Sequence, residues 1–322
     1  MKKTIHEDLV DIIKYHTPGN ENAVDTLIRI IPLSKEAAYR RLRGEIPFTL
    51  SEAVRISEKL DVSLDSLVGI DKKSSFMFHI KQLFSENPFE SYYDLLVASL
   101  DIYKQLHEGA EVKFYCAGNM LPPVFYFKYR ALSQYIFFKW FYQSFHINGT
   151  NTGFKDVVIP EKVLSMQQKI YSEAIQIETY FIIGEDLISS LIFDIRYFAS
   201  IDLISPEEIL RLKDDLFCLL DDLERITTNA HFVTTGAKAF IYLSNAYFDG
   251  NYSYMTSSNY KVSSIYLYGI NHLNCIDATI YESHKLWMES LIAHSTLISG
   301  SGKLHATDFF SHQRELLNTI EM

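Results

Sequence analysis

LSKEAAYRRLRGE, Leu33 to Glu45, concentrates positive charge in a chain that is otherwise acidic. Within Ser34–Arg43, Lys35, Arg40, Arg41 and Arg43 stand against one acid, Glu36, while the whole chain of 322 residues carries a formal net charge of −10. Ser34 is a good N-cap and Gly44 a good stop, so the segment reads as one short helix. Helical spacing turns Ala37, Ala38 and Leu42 inward and Lys35, Glu36, Tyr39, Arg40 and Arg43 outward. Small inward residues let a helix pack closely on its neighbour. Long hydrogen-bonding side chains on the other face are what reaches base edges in a major groove. Ser34 stands at the helix N-terminus, where free N–H groups point toward a phosphate.

The flanking sequence fits a compact helical module. HEDLVDIIKY is amphipathic, with Leu9, Ile12 and Ile13 on one face, and TPGNEN breaks it. AVDTLIRII forms a second helix, stopped by Pro32. Thr49-Leu50-Ser51-Glu52 is a capping box that opens a fourth, and Ser63 caps a short fifth, LDSLV. Ile70 to Ser75 is polar and follows Gly69, which marks a boundary near residue 70.

LSKEAAYRRLRGEIPFTLSEAVRISEKLDVSLDSLVG resembles the helix-turn-helix of the lambda-repressor-like (XRE-type) DNA-binding regulators. The resemblance rests on Ser34, Arg43-Gly44, the turn at Pro47–Leu50 and the segment Asp61–Leu67. It covers residues 23–68, about one-seventh of the chain. It implies that Lys35, Glu36 and Arg40 read bases, that Ser34 and Arg43 hold the backbone, and that Tyr39 can do either. Double-stranded DNA is then the partner, and a homodimer spanning two half-sites is expected. Arg41 departs from the family, which usually places an apolar residue there. That implies a rotated helix or a guanidinium reaching out to water. The connection through Pro18–Glu21 is longer than usual.

The rest of the chain reads as a mixed body, giving an α+β protein with residues 1–70 as the five-helix domain, 71–110 as a helical linker and 111–322 as the larger body. FMFHIKQLF reads as helical, and Asn87-Pro88-Phe89-Glu90 opens a longer helix to Gly109. EVKFYCA, VFYFKY, KDVVIP, IQIETYFII, AKAFIYLSNAYF and KVSSIYLYGI read as strands, the last two paired with each other. GEDLISSLIFDIRYFASI is a helix, as is the segment opened by Ser205-Pro206-Glu207-Glu208, whose Ile209, Leu212, Leu216, Leu219, Leu223 and Ile226 form one apolar stripe. ATIYESHKLWMESLIAH and ATDFFSHQRELLNTI close the chain as helices.

No motif in this body names a reaction. Ser299–Lys303 lacks the glycine and hydroxyl that a phosphate loop needs and reads as a turn. The late histidines, His284 and His294 among them, show no metal spacing. Cys218 reads as a small core residue, and three separated cysteines fit a reducing compartment. Asp194, Asp214, Asp215, Asp221 and Asp222 offer no evident acid–base pair. Aromatics make up 14% of the chain, and the stretch Val124–Phe145 reads as core or as the wall of an apolar pocket. Lysines and an arginine interrupt that run, which excludes it as a membrane span. No leader is visible after Met1-Lys2-Lys3, and Asn148-Gly149-Thr150 and Asn251-Tyr252-Ser253 read as chance glycosylation matches. The expectation is a cytoplasmic, non-enzymatic regulator without metal or cofactor, whose body dimerises or senses a small-molecule or protein effector. The alternatives are an enzyme tethered by the helical domain and a protein-docking module.

Overall fold

A computed structural model describes residues 4–17, 21–60, 62, 64, 78–81, 83, 87–145, 153–300 and 302–320. The chain divides into two units, Met1–Met77 and Phe78–Met322. Of the fifth helix LDSLV only Leu64 is described; the rest of it, the polar boundary at Ile70–Ser75, the break at Pro18–Asn20 and the match at Asn148–Thr150 lie outside the described residues.

In the first unit, four helices form among the described residues: α1 (Ile5–Tyr15), α2 (Ala23–Ile30), α3 (Lys35–Leu42) and α4 (Leu50–Leu60). Thr4 and Glu7 make a capping box on α1, and Asn22 caps α2. Leu9, Ile13, Val24, Leu27, Ile31, Ala38 and Ile56 make a single buried cluster from all four helices. Ile12, which shares the predicted apolar face of α1, packs at its edge.

The second unit is built on an eight-stranded mixed sheet. Its strands are β1 (His79–Ile80), β2 (Lys113–Gly118), β3 (Glu178–Gly184), β4 (Ala239–Ser244), β5 (Tyr252–Thr256), β6 (Lys261–Leu267), β7 (Asn271–Cys275) and β8 (Thr296–Leu297), in the order β1-β7-β6-β5-β2-β3-β4-β8. β2, β3 and β4 run parallel, and the remaining neighbours pair antiparallel. Parallel neighbours require long crossovers, and helices supply them. α5 (Pro88–His107) precedes β2. α6 (Pro123–Tyr126), α7 (Arg130–Phe145) and α8 (Glu161–Ala174) lie between β2 and β3. α9 (Ser189–Ser200) and α10 (Pro206–Asn229) lie between β3 and β4. α11 (Ala278–Ala293) and α12 (Lys303–Asn318) follow the last long strand.

Strand alternation divides the core in two. Phe114, Cys116, Phe181, Ile183, Ile241 and Leu243 join the large cluster with α5–α10 and α12. Tyr115, Ala117, Ile182, Tyr242 and Tyr254 point the other way, toward Tyr281 and Met288 of α11. On that second face a row of rings crosses four strands. Tyr254 stacks on Tyr115 at 4.4 Å, Tyr115 on Tyr180 at 4.3 Å, and Tyr180 on Phe240 at 4.9 Å. Cross-strand ring pairs of this kind fix register as well as adding stability.

Several sequence expectations change. α5 is no linker: Tyr92, Leu95, Leu96, Tyr103 and Leu106 are buried in the second unit's core. His79–Ile80, read as helical, is an edge strand on β7. VFYFKY is the helix α6 and the turn after it, because Pro123 takes the first helical position. KDVVIP is no strand; a short 3-10 turn, Phe154–Asp156, precedes extended residues. AKAFIYL and KVSSIYL are not partners, since β6 pairs with β5 and β7. Cys218 is exposed, beside the buried stripe of α10 rather than in it.

The aspartates of the body hold helices in place. Asp215 of α10 accepts the N–H groups of Ala131 (2.7 Å) and Leu132 (3.2 Å), an N-cap for α7 supplied from another helix. Asp222 pairs with Lys128, accepts the Tyr129 hydroxyl at 2.5 Å, and meets Arg225 at 2.6 Å. Asp194 pairs with Lys139, and Asp221 meets Arg314 at 2.8 Å.

Two histidines of this unit are neutralised by burial. His272 on β7 and His284 on α11 are each pushed down to about 4. The Nε2 of His284 is buried without a partner, among Tyr252, Tyr254 and Trp287. Unfolding restores an ordinary imidazole, which titrates near ~6.5. The unfolded chain therefore binds protons that the fold refuses, and stability present above that value is lost as pH falls toward 4. We expect the melting temperature of the second unit to drop between pH 6.5 and 5, above the carboxylate range. His272→Gln with His284→Gln should flatten that drop in calorimetry; an unchanged slope in the double variant would refute the assignment.

Candidate nucleic-acid interface

The short link Ile31–Ser34 sets α3 against α2. Pro32 cannot continue α2, the Leu33 N–H closes onto the Ile31 carbonyl at 2.8 Å, and Ser34 then caps α3 by accepting the Ala37 N–H at 3.2 Å. At the other end Gly44 adopts a left-handed φ of +77°. The Gly44 N–H reaches the Arg41 carbonyl and the Glu45 N–H the Arg40 carbonyl, both at 2.9 Å. Only glycine takes that conformation without strain, so the Arg43-Gly44 stop is a physical requirement of the turn.

Ala38 is fully buried, with Ala37 and Leu42 half-buried beside it. Ser34, Lys35, Glu36, Tyr39, Arg40 and Arg43 are all exposed. Tyr39, at 45% exposure, presents a ring in the middle of that face. Lys35 lies 3.9 Å from Asp25, an exposed and weak pair.

Arg41 does not reach out to water. Its guanidinium meets Glu52 of α4 through Nε–Oε2 at 3.2 Å and Nη2–Oε1 at 2.7 Å, with both side chains only 13% exposed. Glu52 also accepts the Thr49 N–H at 2.8 Å and donates its own N–H to the Thr49 hydroxyl at 3.3 Å. Burial pushes the Glu52 carboxyl up, but the Thr49 N–H and the Arg41 guanidinium outweigh it and hold it below the usual glutamate range. One carboxylate thus caps α4 and clamps α3 to it. This explains how a cation occupies an inward position without rotating the helix.

Two further residues shape the face, and sequence reading did not single them out. His6 of α1 lies against the Arg41 carbonyl (Nε2, 2.7 Å), accepts the Phe48 N–H at Nδ1 (3.4 Å), and stacks on the Phe48 ring at 5.0 Å. That pair of bonds needs the tautomer with hydrogen on Nε2, and it ties α1 to both ends of the turn after α3. Glu45 sits between two exposed arginines, 3.4 Å from Arg40 Nε and 3.2 Å from Arg43 Nε. Its carboxylate holds both guanidinium groups near one another and competes with any external anion for them.

We therefore expect Glu45→Gln to tighten binding to duplex DNA several-fold on every sequence alike, since it removes a charge that repels phosphate. Parallel titrations of specific and unrelated duplexes would check this. Weaker binding in the variant would mean that Glu45 positions the arginines rather than competing for them.

Residues 1–81 match the BetR domain, a family of helix-turn-helix-type regulatory domains. No curated protein matches the chain. Among the described residues, no helix is long and apolar enough to cross a membrane.

Proposed function

We propose that this protein is a sequence-specific transcriptional regulator of the lambda-repressor-like type, in which α3 enters the major groove. The observation that carries the proposal is the sorting of α3 into two faces. Ala38 and the Glu52-clamped Arg41 fix one face to the unit, while Lys35, Glu36, Tyr39, Arg40 and Arg43 stand on the other. The match of residues 1–81 to a regulatory helix-turn-helix family supports it independently.

In this reading Lys35, Glu36 and Arg40 meet base edges, Ser34 and Arg43 hold phosphates, and Tyr39 contacts either. Ser34 keeps a hydroxyl hydrogen to donate after capping the helix. A single module of this kind buries little surface, so the working form is a homodimer reading two half-sites ~34 Å apart. The second unit dimerises, senses an effector, or does both, and it has no catalytic role. The engagement of Asp194, Asp215, Asp221 and Asp222 in helix caps and ion pairs supports that last point.

Selection of duplexes from a random library by the full chain tests the reading. An enriched motif with two related halves supports it. Retention of unrelated sequences with no common motif refutes it.

A further inference from the structure

The second unit contains a cavity of about 90 Å³. It lies beneath α5 and is closed by the Pro122–Phe127 segment and by strands β5, β6 and β7. Among the described residues, most of its wall is aliphatic or aromatic, and no Lys, Arg, Asp or Glu side chain lines it. Two of its lining residues, Tyr103 and Tyr126, are 6% and 3% exposed. Neither hydroxyl meets a protein hydrogen-bond partner among the described residues, and neither oxygen is wholly shut off from a small probe.

The other polar groups of the wall behave differently. Burial pushes the Tyr92 hydroxyl up, and Gln167 beside it offsets this in part. Tyr266 receives the Ser253 hydroxyl at 3.3 Å, and Ser264 donates to Asn274 at 2.7 Å. His272, also in the wall, is kept neutral at ordinary pH by its burial. A hydroxyl facing an apolar space without a partner is costly. Folds avoid such groups unless something else satisfies them. Here two line one apolar cavity, each with a hydroxyl hydrogen to donate to an occupant.

We propose that this cavity binds a small, uncharged, mainly apolar molecule carrying a hydrogen-bond acceptor, which the hydroxyls of Tyr103 and Tyr126 recognise. Charge is disfavoured because no ionised side chain among the described lining residues can pair with it. Size is bounded by volume: an apolar cavity of ~150 Å³ accommodates the six heavy atoms of benzene, so one of 90 Å³ takes about four. Short ketones, aldehydes and cyclic ethers have this chemistry. Its role as effector site rests on the regulator reading, but binding itself does not, and it is measured without DNA.

Acetone, isobutane and acetate, of four heavy atoms each, make a matched set of probes, titrated into the full-length protein by saturation-transfer NMR. The ketone should bind about fivefold more tightly than the hydrocarbon, the difference one neutral hydrogen bond makes. The carboxylate should not bind. In Tyr103→Phe with Tyr126→Phe the preference for the ketone should vanish while the hydrocarbon binds as before. That variant should melt no lower than the wild type, because it removes two unsatisfied groups and no contact. Absence of binding by the ketone at ~20 mM, well above a millimolar Kd, overturns the proposal. So does binding of the carboxylate as tightly as the ketone, or a ketone preference that survives in the variant. A negative result here with a positive duplex selection would leave the DNA-binding reading standing.

Discussion

Arg40→Ala is expected to weaken binding to the selected duplex by about 5- to 150-fold, the ~1–3 kcal/mol that one bidentate base contact contributes. Binding to unrelated duplexes should change far less. Arg40 lies on the exposed face of α3, with half of its side chain accessible, and its Nε is only loosely held by Glu45 at 3.4 Å. Arg43→Ala makes the contrast. As a phosphate contact it should weaken all sequences alike and lower the slope of log affinity against log salt by about one. Fluorescence-anisotropy titrations at several salt concentrations separate the two. If Arg40→Ala costs the same on every duplex, Arg40 holds backbone and the base-reading assignment is wrong.

Glu52→Ala should destabilise the first unit by about 2–4 kcal/mol. Loss of a capping side chain costs ~1 kcal/mol, and leaving a mostly buried guanidinium unpaired adds more. Glu52 and Arg41 are each 13% exposed, so water cannot fully replace the lost partner. A unit of this size has little stability to spare. Hydrogen exchange on the full chain gives the readout. Amides of α3 and α4 should lose protection, while those of β2, β3 and β4 keep theirs; retained protection in α3 would contradict the clamp. The same carboxylate makes the unit sensitive to acid. Because its folded pKa is depressed, its contribution is present above the ordinary glutamate range and is lost as pH falls through the lowered value.

The helical unit was legible because its signals are local. Ser34, Thr49 and Gly44 act within a few residues of themselves, and the inward and outward sides of α3 follow from helical spacing alone. The same holds for the capping box at Ser205 and the buried stripe Ile209–Ile226. What escaped notice depends on distant partners. Nothing near Arg41 in sequence announces that Glu52 will neutralise it, or that His6 will reach the carbonyl behind it.

Strands β5 and β7 were hidden for another reason. YSYMT and NHLNC are polar, and their core positions include Ser253, Asn271 and Cys275, so no apolar alternation marks them. The run VFYFK misled in the opposite way. Val124 through Phe127 are all buried, and a run with no exposed face has no period to distinguish helix from strand. The cavity was the least legible feature, because its wall draws on residues from Tyr92 to Asn274 that only the sheet order brings together.

On the proposed reading the exposed face of α3 lies against duplex DNA. A photocrosslinking amino acid at position 39 tests it most directly, with one at position 15 as the control. Tyr39 is in the middle of that face at 45% exposure, and Tyr15, on α1, is 79% exposed. The account predicts that the chain labelled at position 39 crosslinks to the selected duplex and that unlabelled specific duplex competes the product away. Crosslinking from position 15 with none from position 39 would contradict it.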